Sequence, residues 1–139
     1  MADKGGDRIM ELKNRSQYLD KLISVQDMEV IKVVTGIRRC GKSSLLKLMM
    51  AHLREQGVME EQILSMNFES MQFADMDSKS LYQYVMERAP KEKRLYLFLD
   101  EVQKVRDWQD AVNSFRVDLD CDIYVTGSNA YLLSSELST

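Results

Sequence analysis

The sequence is short of the features that mark several large protein classes. No apolar run approaches the roughly 18 residues of a membrane helix, and no segment has the pattern of a secretory leader. A membrane protein is therefore not expected, and the chain reads as cytoplasmic. There are two cysteines, Cys40 and Cys121, and neither has a Cys or His neighbour at metal-ligand spacing. A disulfide scaffold and a zinc site are both excluded, and the two thiols read as reduced. The single histidine, His52, reads as a helix-surface residue rather than a catalytic one. Net charge is only −3, so nothing in the balance demands a nucleic-acid partner. There is no repeat and no low-complexity segment.

What remains is an ordinary globular composition, 45% hydrophobic and 29% charged, in 139 residues. That length suits one domain with a real core. Residues 1–13 open with the polar "MADKGGDR" and are expected to be a flexible tail. Tyr18, Leu19, Leu22 and Ile23 have helical spacing, with Ser16 as N-cap. Strands are expected at 29–35, 62–68, 94–101 and 121–127, where β-branched and apolar residues concentrate. Helices are expected at 42–56, 78–88 and 108–117, with a further one from about Ala130. Asp107 is placed to cap the third of these, and Trp108 to anchor it on the sheet. The run Leu95 to Leu99 is continuously apolar, which indicates a strand covered on both faces. Strands alternating with helices imply an α/β fold, a three-layer sandwich around a parallel sheet. Ligands of such sheets bind beyond the carboxyl ends of the strands.

Three of those ends carry polar groups. "GIRRCGKS", residues 36–43, fits the phosphate-loop pattern G-x-x-x-x-G-K-[ST] between a strand and a helix. Its glycines, Gly36 and Gly41, let the backbone curl so that N–H groups converge on a phosphate. Ile37, Arg38, Arg39, Cys40 and Ser44 complete the loop, Arg38 and Arg39 either as solvated charges or as contacts to phosphate or a neighbouring subunit, and Cys40 as a small side chain that fits. Lys42 reaches the outer phosphates, and the Ser43 hydroxyl suits Mg²⁺. The bland alternative is a glycine turn that binds nothing. "LYLFLDE" ends a buried strand in two carboxylates, which is costly without a purpose. Asp100 is expected to hold the metal opposite Ser43, and Glu101 to act as general base on a water. "TGSN" ends the fourth strand, where Asn129, with Ser128 in reserve, is expected to sense the terminal phosphate; a simple turn is the alternative.

The wording "TGIRRCGKSSLL", "LFLDEVQKVRDWQDAV" and "YVTGSNAYLLSSEL" resembles the AAA-type P-loop ATPases. Within them it is similar to prokaryotic ATP-binding proteins whose AAA module precedes a C-terminal domain of unknown function. The resemblance implies an Mg²⁺-dependent ATPase with ATP and ADP as ligands. It also implies that residues 14–139 are a partial domain lacking the fifth strand, arginine finger and lid. By analogy, Arg15, Tyr18 and Leu19 in "NRSQYLDKL" become candidates for the base pocket. An absent fifth strand would leave "KVVT" as an open edge, so weak turnover and self-association are expected of the fragment. Nucleic acid or protein partners would act through the missing C-terminal domain. Two other readings use the same site: a nucleotide-controlled binding module with little turnover, and a small-molecule P-loop kinase, against which the Asp100–Glu101 pair counts.

Overall fold

A computed structural model of the chain describes residues 17–35 and 39–128. A first helix, α1, includes residues 17–24. It is followed by β1 (Lys32–Val34), α2 (Arg39–Glu55), β2 (Ile63–Asn67), α3 (Ser78–Arg88), β3 (Leu95–Asp100), α4 (Trp108–Asp118) and β4 (Cys121–Thr126). The four strands form one parallel sheet in the order β1-β4-β3-β2. The expected α/β architecture is what the chain adopts.

Alternation along the strands explains the layers. On one face Val34, Tyr96, Phe98 and Tyr124 pack under α2, through Leu45, Leu46, Met49 and Leu53, with Leu22 of α1 joining them. On the other face Leu95, Leu97, Leu99, Ile123 and Val125 meet Leu81 and Val85 of α3 and Trp108, Val112 and Phe115 of α4. Every residue of β3 is buried, as its unbroken apolar run requires. The expected anchoring role of Trp108 holds, and the ring is almost fully enclosed.

Element ends differ from the sequence expectation for identifiable reasons. The first strand is three residues long rather than seven. The segment before it is tied to side chains instead of a ladder: the Asp27 amide donates to Asp122 Oδ2 at 3.0 Å, and the Met28 carbonyl accepts from Lys32 Nζ at 2.7 Å. The second helix begins at Arg39 instead of residue 42, so Lys42 stands in its first turn. At α3 the Asp77 carboxylate accepts from the Ser80 amide at 2.9 Å and from its hydroxyl at 2.8 Å. Ala89, ahead of Pro90, leaves the helical region as a residue preceding proline should. Asp107 does not cap α4 with its side chain. Its backbone is left-handed (φ 57°), whereas a capping side chain needs the extended region. His52 is half-buried rather than on the surface, and its Nε2 has no hydrogen-bond partner among the described residues.

Candidate functional site

Parallel pairing places the carboxyl ends of β1, β3 and β4 along one edge of the sheet, and the polar groups collect there. The Ser43 hydroxyl donates to Asp100 Oδ2 at 2.5 Å, joining residues 57 positions apart. Lys42 lies along the same edge. Its Nζ donates to the Gly127 carbonyl at 2.9 Å and stands 3.6 Å from Glu101 Oε2. Lys42, Asp100 and Glu101 are each less than 8% exposed. Burying one cation and two carboxylates is tolerable only because each faces an opposite charge or a hydrogen-bonding group.

Thr126, fully buried at the end of β4, organises the two acids. Its hydroxyl donates to Asp100 Oδ1, and its oxygen accepts the Glu101 backbone N–H at 2.9 Å. Asp100 is thereby gripped on both oxygens, one by Ser43 and one by Thr126. Glu101 has a left-handed backbone (φ 59°, ψ 50°) and opens a single 3-10 turn, Val102–Lys104. That turn brings Gln103 back onto the acid, where Nε2 donates to Glu101 Oε1 at 2.8 Å. A non-glycine residue in this conformation stores roughly 1–3 kcal/mol, typical of positions where geometry serves a site. Gln103 Oε1 and Ser128 Oγ are buried and have no hydrogen-bond partner among the described residues. Such atoms cost about 1–3 kcal/mol each unless a ligand or water completes them.

The oxygen donors of Ser43 and Asp100 suit a hard divalent cation. Among the described residues no group of three or more His, Cys, Asp or Glu could hold a metal alone. This is compatible with Mg²⁺, which takes one or two carboxylates and leaves its other positions to phosphate and water.

Of the residues singled out from sequence, Lys42, Ser43, Asp100 and Glu101 come together. Gly41 and Ser44 lie on the same stretch of α2, as do Arg39 and Cys40 in its first turn. Tyr18 lies on α1, 39% exposed, while Leu19 packs against the core under α2. Gly36, Ile37, Arg38, Arg15 and Asn129 lie outside the described residues, as do Ser16 and the helix expected from Ala130. Sequence reasoning missed Thr126 and Gln103. Thr126 looks like one more β-branched strand residue, and only its place directly before Gly127 hints at more. The thiol of Cys121 is half-buried and donates to the Phe115 carbonyl; burial is the main cause that pushes it up to about 11, which makes it unreactive.

An uncharacterized protein of Haemophilus influenzae is 43% identical over 128 residues, covering 91% of this chain and 32% of its own length. An uncharacterized protein of Methanocaldococcus jannaschii is 26% identical over 132 residues, covering 94% of this chain and 28% of its own. The chain thus spans less than a third of the length of these curated relatives. No solved structure matches it significantly. The AAA domain family matches residues 29–139, over the phosphate-loop strand, the acid pair and the end of β4. The chain therefore belongs to the AAA domain family, whose members are nucleotide-binding, ATPase-like modules.

Proposed function

We propose that the chain is an Mg²⁺-dependent ATP-hydrolysing module, a partial domain from about residue 14 within a longer cytoplasmic protein. The observation that carries this reading is the convergence of Ser43 and Lys42 on Asp100 and Glu101 at one sheet edge. A site that only bound nucleotide would need the lysine and the loop amides. It would not need a second buried carboxylate beside them.

The roles follow from position. Lys42 and the amides of 36–44 bind and orient the phosphates, and the amine neutralises charge that grows on them. Ser43 and Asp100 would hold Mg²⁺, which when bound supplies further charge neutralisation at the phosphates. Glu101 accepts the proton of the attacking water. Tyr18 and Arg15 border the base, and Asn129 reads the terminal phosphate. The buried hydroxyl of Ser128, without a hydrogen-bond partner among the described residues, supports a share of that reading for Ser128 as well. ATP rather than GTP is the substrate, in keeping with the absence of an N-K-x-D guanine-reading motif.

The deciding experiment is Glu101→Gln in the intact protein, with ATP binding and phosphate release measured side by side. Hydrolysis should fall by about 10²- to 10⁴-fold with binding retained. Unchanged phosphate release would remove Glu101 as base. Loss of turnover with cellular function intact would favour the nucleotide-controlled binding module.

A further inference from the structure

From the geometry around Glu101 we infer that Gln103 is a positioning residue for hydrolysis, holding the Glu101 carboxylate in line and turning a second acceptor toward the attacking water. The inference rests on the hydrolytic reading above and adds to it a residue that no motif singles out.

Three observations carry it. The Glu101 carboxylate has a neighbour on each oxygen: Gln103 Nε2 on Oε1 at 2.8 Å and Lys42 Nζ 3.6 Å from Oε2. A neutral donor on one side and a cation on the other fix the plane of the acid. The second observation is rigidity. Gln103 sits on the 3-10 turn Val102–Lys104, pinned by Val102 and Val105 in the core and closed by the bond from Lys104 N to the Glu101 carbonyl at 3.2 Å. The backbone that carries the side chain is therefore held by buried neighbours. The third is the unused end of the amide. With nitrogen committed to the carboxylate, Oε1 points elsewhere, buried and without a partner among the described residues. The reverse orientation would set two acceptors 2.8 Å apart, so the charge of Glu101 fixes which end faces it. A carbonyl oxygen next to a general base can accept the second hydrogen of the water whose first hydrogen goes to the base. No group changes oxidation state and no bond forms to Gln103.

The test uses Gln103→Met, which keeps length and loses both polar atoms, and Gln103→Asn, which keeps the amide one methylene short. In the intact protein both should fold with a wild-type melting transition. Both should lower kcat roughly 10- to 100-fold and leave ATP affinity within about twofold. A second readout is independent of turnover. The Gln103 side-chain amide resonance, assigned by its loss in Gln103→Met, should be protected from solvent exchange and should lose protection in Glu101→Ala. Wild-type kcat in both variants overturns the inference alone. So does a Gln103 amide indifferent to Glu101→Ala. Misfolding of both variants gives Gln103 a structural role and overturns it too. A wild-type protein that binds ATP but releases no phosphate overturns the hydrolytic reading, and this inference falls with it.

Discussion

The two ends of the sheet each bury a lysine against a carboxylate, and they differ in how tightly those charges are paired. Near the amino ends of β1 and β4, Lys32 and Asp122 form an ion pair with side chains 2% and 0% exposed. Asp122 Oδ1 takes Lys32, while Oδ2 takes the Asp27 amide at 3.0 Å and the Tyr124 hydroxyl at 2.6 Å. Tyr96 donates to Asp27 at 2.7 Å, and Arg94 Nε stands 2.9 Å from the same carboxylate, an ion pair in which the buried Nε makes no hydrogen bond among the described residues. Burial, with these carboxylates close by, drives both tyrosine hydroxyls far above the usual range, so they stay neutral donors. At the carboxyl ends, Lys42 and Glu101 stop at 3.6 Å, and two buried polar atoms nearby have no partner among the described residues. The first cluster pairs its central charges directly and reads as structure. The second keeps its lysine and carboxylate 3.6 Å apart at the carboxyl edge of the sheet, where ligands of parallel sheets bind.

The sharpest way to break this contrast is at Asp122. Asp122→Ala leaves Lys32 buried and uncompensated and should cost about 3–5 kcal/mol. That is a large part of a domain's total stability. Denaturant titration measures it, and Lys32→Met with Asp122→Leu should recover part of the loss. A near-neutral Asp122→Ala would remove the distinction between the two ends. Next in size is Thr126→Val, which strips one hydrogen bond from Asp100 and leaves the Glu101 amide unmatched. It should cost about 1–3 kcal/mol and slow phosphate release, with Thr126→Ser restoring both. The smallest effect belongs to Glu101→Gln read by stability instead of activity. Its denaturation midpoint should stay put or rise, because the loosely paired carboxyl end is not optimised for folding. A fall as large as that of Asp122→Ala would mean that both ends are structural.

Much of this was legible in the sequence, for physical reasons. An unbroken Leu95–Leu99 run between turn-forming residues indicates a covered strand, and glycines at 36 and 41 before Lys42 and Ser43 point to a phosphate cradle. The acid pair was conspicuous because charges seldom follow such a run. Lys32 and Asp122 were just as anomalous inside their strands, yet they lie 90 residues apart. Their pairing depends on β4 lying beside β1, which residue spacing does not encode. Gln103 was hidden for another reason. Residues two apart do not face each other on a helix, and their side chains point the same way on a strand without touching. Only the left-handed turn at Glu101 folds one back on the other.

That turn has a consequence for how the chain would respond to selection. The backbone at residue 101 has a shape that glycine adopts freely and that asparagine tolerates better than glutamate. A library of variants sorted for heat resistance alone should drift at position 101 toward those residues and discard the acid. The same library sorted for phosphate release should hold glutamate there against the drift. Position 101 is thus a single codon at which the fold and the chemistry ask for different amino acids.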